Sequence, residues 1–203
     1  MLEANKISYR YQSDVALLNR IDLHIEPGEV VGLYGRSGSG KTTLAKIIAG
    51  YLKPDEGFIK VDGRRYPVEG PNPVQLIWQH PEKAVNPRWR MKRVLAEGEP
   101  LDSDLLDELD IKEGWMHRFP AELSGGELQR FCLARALGSN TKYLIADEMT
   151  TMLDAISQAQ IWHTVLHLAK RRNLGILAIS HERNLLRRVS HRVKNFSELA
   201  NIA

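Results

Sequence analysis

One stretch, Gly35-Arg36-Ser37-Gly38-Ser39-Gly40-Lys41-Thr42-Thr43, constrains this chain more than any other. It follows an apolar run (Val30, Val31, Leu33, Tyr34) and opens a helical pattern (Leu44, Ala45, Ile47, Ile48). The spacing is that of a phosphate-binding loop, G-x-x-x-x-G-K-[ST], in a strand-loop-helix setting. A polyphosphate needs many donors packed closely, and Gly35, Gly38 and Gly40 let backbone N–H groups turn inward around it. Lys41 then reaches the β/γ-phosphates and Thr42 offers a hydroxyl to Mg²⁺, while Thr43 and the positive end of the following helix add to the anion site. The plain alternative is a glycine-rich turn before a helix with an unremarkable lysine. That alternative has to account for both flanks as well as the pattern, so the stretch predicts nucleotide binding.

The bulk properties narrow the class further. The chain has 203 residues, 43% of them hydrophobic, which suits one soluble globular domain with or without a subdomain. Lys+Arg at 28 against Asp+Glu at 25 leaves a formal charge of +3, with no long block of one sign. Bulk charge therefore gives no support to a nucleic-acid or membrane-surface role. Cys132 is the only cysteine, which rules out an internal disulfide and fits a reducing cytoplasmic setting. Neither a signal-peptide pattern at the start nor an apolar run of membrane-span length occurs, so contact with a membrane is expected through a partner.

The remaining elements follow from periodicity and turn residues. Strands are expected over Ile7 to Tyr11 and Leu17 to Ile25, then Pro27-Gly28 turns into the strand before the loop. Tyr9 and Tyr11 lie on one face of their strand, and either ring could stack on a base or simply pack. Past Pro54 to Gly57 come a short strand, Phe58 to Val61, a loop marked by Pro67, Pro71 and Pro73, and an apolar run from Val74 to Trp78 that leads to Gln79. Lys83, Arg88, Arg90, Lys92 and Arg93 around Trp89 admit nucleic acid, a solvated face or a protein docking surface. Leu101 to Phe119 reads as an acidic helical segment, with Leu105, Leu106 and Leu109 on its apolar face. In Leu123 to Gln129, Ser124 and Glu127 make a capping box, and Gly125 and Gly126 leave room for an anion at that helix end, although a well-capped helix running to Gly138 needs no anion. Tyr143 to Glu148 is a buried strand ending in two carboxylates, placing Asp147 to hold Mg²⁺ and Glu148 to polarise a water if the loop carries nucleotide. A helix with Ala155, Ala159, Trp162, Leu166 and Ala169 on one face follows, then a strand from Gly175 to Ile179 that ends in Ser180-His181.

These motifs, in this order and spacing, resemble the ATP-binding cassette ATPases along almost the whole chain, and Leu123 to Gln129 looks like that family's signature motif. The resemblance implies an α/β fold: a P-loop NTPase core of RecA type with an antiparallel β subdomain and an inserted α-helical subdomain. Residues 1–78 and 139–203 would form the core and β subdomain, and about 79–138 the glutamine loop, helical subdomain and signature helix. It further implies that Gly35 to Thr43 is the Walker A loop, Tyr11 the base-stacking aromatic and Gln79 the glutamine that senses γ-phosphate and metal. Asp147 would be the Walker B aspartate, Glu148 the catalytic glutamate, Asp154 the aspartate of the dimer-contact loop, and His181 the switch histidine. Lys41, Gln79, Glu148 and His181 would then serve catalysis, and Thr42, Gln79 and Asp147 the metal. The nucleotide would meet Tyr11, Gly35, Arg36, Ser37, Gly38, Ser39, Gly40, Lys41, Thr42 and Thr43 in one subunit, and Ser124, Gly125, Gly126 and Asp154 across a head-to-tail dimer. The cofactors the resemblance implies are ATP and Mg²⁺.

A narrower likeness runs through Gln79-His80-Pro81, Ala84-Val85-Asn86-Pro87-Arg88 and Gly35 to Lys46, which look similar to the peptide and nickel importer branch. It implies transmembrane permease subunits as partners, a second ATPase subunit of the same or a different chain, no nucleic acid, and a cytoplasmic place on the inner face of the membrane. The basic segment would be its docking surface. The alternatives are a non-transport ATPase of the same class and a regulatory nucleotide-binding subunit with little activity alone. Three departures stand out: Met149 where proline is frequent, Thr151-Met152 where a Ser-Ala pair is usual, and an end 22 residues beyond His181, where relatives usually continue.

Overall fold

A computed structural model of the chain describes residues 1–11, 16–66, 71–98 and 103–199. Strands β1 (Leu2–Tyr9) and β2 (Leu18–Ile25) open it, β3 (Val30–Tyr34) leads into helix α1 (Lys41–Ile48), and β4 (Glu56–Val61), β5 (Arg64–Tyr66) and β6 (Val74–Ile77) follow. Helices α2 (Met91–Leu95), α3 (Ser103–Glu108) and α4 (Gly125–Ala136) then precede β7 (Tyr143–Asp147). The last part alternates α5 (Ala155–Arg172), β8 (Gly175–Ser180), α6 (Arg183–Val189), β9 (Arg192–Asn195) and α7 (Phe196–Leu199). Among the described residues the strands form an antiparallel sheet in the order β2-β1-β4-β5 and a parallel sheet in the order β6-β7-β8-β3-β9.

The two sheets and the helices enclose two apolar layers, and the parallel strands feed both. Leu144, Ala146, Ile176 and Ala178 face the layer that holds Phe131, Leu133, Trp162 and Val165 of the helices. Their alternates Ile145, Leu177 and Ile179 face the layer that holds α1 and the antiparallel sheet. Burial on both faces explains why these strands read as unbroken apolar runs, whereas β2 alternates. In β2 the buried Leu18 and Ile21 are three apart, and a bulge restores the alternation: Ile7 pairs with Ile21 and Tyr9 with Leu18, with Arg20 at φ 49°.

Several elements differ from the sequence reading. The first strand is Leu2–Tyr9, earlier than Ile7 to Tyr11, because its pairing with both β2 and β4 reaches back to Leu2. The Leu101 to Phe119 segment is not one helix: α3 ends at Glu108, Asp110 turns at φ 53°, and a single 3₁₀ turn follows at Glu113–Trp115. Leu101 itself, like Pro67, lies outside the described residues. On α5 the buried face is Ile161, Trp162, Val165, Leu168 and Ala169, while Ala155 and Ala159 are exposed and Leu166 is half-buried. Thr150 tethers this helix by accepting from Trp162 Nε1 and Gln158 Nε2, each at 3.1 Å. The signature helix keeps its capping box, with Ser124 Oγ accepting from the Glu127 N–H at 3.3 Å and Glu127 Oε2 from the Ser124 N–H at 2.7 Å.

The final strand is held by a charge clamp. Arg192 donates through Nε to Glu29 Oε1 at 2.5 Å and through Nη2 to Glu29 Oε2 at 3.2 Å, and it also reaches the His24 carbonyl at 2.7 Å. The guanidinium holds the Glu29 carboxyl below its ordinary value of 4.5. The folded state thus binds this proton less readily than the unfolded chain. The clamp's contribution is complete above about pH 4.5 and disappears as the pH falls through the lowered folded value. Glu29→Gln is expected to cost about 1 kcal/mol at pH 7, or about 2–4 °C in Tm, and the difference from wild type should close in thermal melts run below pH 4.5.

Candidate active site

Parallel strands bring their C-terminal ends to one edge, and the sequence places a functional side chain or loop at each of four of them. Gly35 follows β3, Gln79 lies just after β6, Glu148 follows β7, and His181 follows β8. The register fixes the order across the edge: Ile77 pairs with Ala146, Asp147 with Ile179, and Tyr34 with Ser180. The crevice is thereby assembled from segments far apart in the chain.

Lys41, only 5% exposed, donates to the carbonyls of Gly35 and Arg36, both at 2.8 Å. Burial lowers its pKa, and the negative charges of Glu148 and Asp147 oppose that shift. Beside it, Asp147 accepts from the Thr42 hydroxyl, while burial and the neighbouring Glu148 raise its pKa. A desolvated lysine and a desolvated aspartate thus lie close enough for each charge to act on the other.

Glu148 is held in an unusual way. Its backbone adopts φ 50°, a left-handed conformation that costs a non-glycine residue on the order of 1 kcal/mol. Its N–H donates to the Ile179 carbonyl at 3.0 Å, tying the turn to β8. The side chain accepts from His181 Nδ1 at 3.2 Å. A carboxylate on a strained turn, held by a histidine at a crevice, is chemically able to accept a proton from a water molecule.

The same structure tests whether a nucleotide and a metal fit. Ser39 Oγ is enclosed within the loop and has no hydrogen-bond partner in the protein, so a buried donor awaits an acceptor there. Gly40 caps α1 in a left-handed conformation at φ 109°, which leaves the first N–H groups of the helix free to point at an anion. Tyr11, 56% exposed, touches Thr43 Oγ1 through its hydroxyl at 3.2 Å and stands edge-on to Tyr9 at 5.1 Å between centroids, which leaves ring surface open beside the loop. Among the described residues no three His, Cys, Asp or Glu side chains gather as a metal cage. A metal at Thr42 and Asp147 would draw most of its ligands from phosphate and water, which suits Mg²⁺. The residues fit both groups.

Ser124, Gly125, Gly126 and Asp154 lie in a different group. A Cβ added to Gly125 would meet Leu153 at 3.5 Å, and one added to Gly126 would meet Ser157 at 3.9 Å, so these glycines rest on the start of α5. Asp154 caps that helix, accepting from the N–H groups of Ile156 and Ser157 at 3.0 Å each and from the Ser157 hydroxyl at 2.6 Å. Sequence reasoning missed Phe196, which is fully buried behind the loop, and the Arg192–Glu29 clamp that places its strand. A short apolar residue near a chain end carries no motif; the strand-like Arg192-Val193-Lys194 was the available signal.

Comparison with known proteins bears on the same residues. The family described as ABC transporter matches residues 18–151. A putative peptide import ATP-binding protein of Brucella abortus (strain 2308) is 34% identical over 198 residues, covering 87% of this chain and 59% of the relative. The probable D,D-dipeptide transport ATP-binding protein DdpF of Escherichia coli (strain K12) is 34% identical, with 88% of this chain and 60% of the relative covered. The nickel import ATP-binding protein NikE of Escherichia coli O6:K15:H31 is 35% identical over 199 residues, at 88% and 74% coverage. The chain thus spans about three fifths of the length of the peptide-import and dipeptide-transport relatives. In fold it matches the dimeric structure of MJ0796, a bacterial ABC transporter cassette, with TM-score 0.81 over 96% of this chain and 94% of that one, at 23% identity. A loop, strand edge and capped helix arranged in this way, with such matches in sequence and fold, place the chain in the ABC transporter family.

Proposed function

We propose that this chain is an ATP-binding and ATP-hydrolysing subunit that powers a membrane importer of peptides or nickel complexes. The observation that carries the reading is the convergence of Lys41, the Thr42–Asp147 pair and the Glu148–His181 pair at one sheet edge. The names of the relatives at about one-third identity point to the importer. No helix among the described residues is long and apolar enough to cross a membrane, so a permease would supply the channel and hold the subunit on the cytoplasmic face. The basic segment with Lys83, Arg88, Arg90, Lys92 and Arg93, all exposed, would be the surface that meets it.

In this mechanism Lys41 exchanges its two loop carbonyls for phosphate oxygens, and Ser39 and the N–H groups of the loop complete the cradle. Tyr11 offers its ring to the base. Thr42, Asp147 and Gln79 would hold Mg²⁺, whose charge would offset that of the phosphate oxygens. Glu148 orients the attacking water and accepts its proton, and His181 fixes the carboxylate for that task. The separate Ser124-Gly125-Gly126 group leaves each chain with two half-sites, completed when a second cassette packs head to tail.

Hydrolysis of ATP by the purified chain, with and without EDTA and with molar mass followed by light scattering, tests the reading. A total hydrolysis rate that requires Mg²⁺ and rises with the square of protein concentration in the dilute range is the expected result. ATP binding without turnover at any concentration would favour a regulatory subunit or an obligatory different partner.

A further inference from the structure

We propose that Phe196 is a positioning residue of the phosphate loop, and that β9 and α7, which deliver it, belong to the nucleotide site. The register makes the connection: Asn195 at the end of β9 pairs with Tyr34 at the end of β3, so Phe196 and Gly35 follow two neighbouring strands at the same level. Asn195 Oδ1 then accepts from the Ser197 N–H at 3.2 Å, which fixes the turn into α7. Phe196 has no exposed surface.

Its side chain lies against both ends of the loop, through Cβ at Gly35 and through the tip of the ring at Gly40. A Cβ added at Gly35 would stand 2.9 Å from Phe196 Cβ, and one added at Gly40 would stand 3.3 Å from Phe196 Cζ and 2.9 Å from Leu18 Cδ2. The bare backbone at the first and last fixed glycines therefore rests on one side chain, with Leu18 beside it. Between them the loop is open at Gly38, where an added Cβ would meet nothing within 4 Å. A loop that must aim its N–H groups at an anion needs a floor on the side away from that anion, because the glycines that permit the turn also permit many others. Close-packed interiors transmit displacements of a methylene, so a shorter side chain at 196 would let the loop sag. Held this way, the donors are arranged before the ligand arrives, and binding loses less conformational entropy.

The proposal rests on the nucleotide reading, and the test separates the two. Mg²⁺-ADP, which is not hydrolysed, is titrated calorimetrically into wild type, Phe196→Leu, Phe196→Ala and Ile59→Val. Ile59 lies in the same apolar layer away from the loop, so its variant reports plain loss of packing. Phe196→Leu and Phe196→Ala both keep Cβ, and with it the contact at Gly35, and both lose the Cζ contact at Gly40; Phe196→Leu is expected to weaken ADP about 3- to 10-fold, and Phe196→Ala further if it folds, because it leaves the larger void under the loop. Ile59→Val should lower Tm comparably and leave the ADP affinity within twofold. Hydrogen exchange in the nucleotide-free protein supplies the second readout: amides 36–41 should exchange faster in Phe196→Leu while those of β1 and β4 keep the wild-type rate. Unchanged ADP affinity in Phe196→Leu, equal weakening in Ile59→Val, or unchanged loop exchange would each overturn the proposal. Should wild type bind no ADP, the nucleotide reading falls, and loop exchange alone decides whether Phe196 positions the loop.

Discussion

Glu148→Gln is expected to lower ATP turnover by about 10²- to 10⁴-fold, the usual share of a positioned general base, equivalent to about 2.7–5.5 kcal/mol of barrier. The amide preserves size and can still meet His181, so the turn at φ 50° and its bond to the Ile179 carbonyl should survive. What is lost is the ability to accept a proton. Nucleotide affinity should stay within a few-fold of wild type, and removal of one negative charge beside Asp147 should favour retention of bound ATP. A variant that keeps ATP, forms a longer-lived dimer in light scattering and shows no phosphate release would fit the assignment. Turnover within threefold of wild type would remove Glu148 from the mechanism and leave its strained backbone without a chemical role.

Lys41→Met should have the second largest effect, on binding as well as on turnover. A charge-assisted contact to phosphate is worth about 1.5–3 kcal/mol, so ATP affinity should fall about 10- to 100-fold, and turnover at saturation about 10²- to 10³-fold as a preorganised donor disappears. Stability should move the other way or not at all. The ammonium is desolvated in the free protein, with its pKa lowered by burial, and it spends two of its donors on the Gly35 and Arg36 carbonyls. Methionine fills similar volume without that desolvation cost, so a Tm equal to or above wild type is expected, as at many sites where function is held at the expense of stability. Calorimetric titration with ATP beside a thermal melt measures both. A variant that binds ATP normally, or one that loses binding only because it unfolds, would contradict the role given to Lys41.

Much of this site was legible from local sequence, because its chemistry depends on short contiguous patterns. Gly35 to Thr43 carries its own loop geometry, Ser124 and Glu127 specify a helix start, and apolar runs ending in Asp147-Glu148 and Ser180-His181 mark strands whose ends meet in a parallel sheet. Element ends were less legible: Asp110 in a left-handed turn broke the segment that looked like one long helix, and on α5 the buried stripe runs through Ile161, Val165 and Leu168 rather than through Ala155, Ala159 and Leu166. Tertiary structure alone decided the rest. That His181 Nδ1 reaches Glu148, that Thr42 bonds Asp147, and that Ser124 to Gly126 lie on α5 apart from the loop all depend on register between strands far apart in sequence. Phe196 is the clearest case, since nothing local distinguishes it from any apolar residue, and only the pairing of Asn195 with Tyr34 sets its Cβ against Gly35 and its ring tip against Gly40. Local patterns specify which groups can do the chemistry, because conformational preference and hydrogen-bonding capacity are properties of a few neighbouring residues. Which of those groups meet, and what supports them from behind, is settled by packing between distant segments, which short-range spacing does not encode.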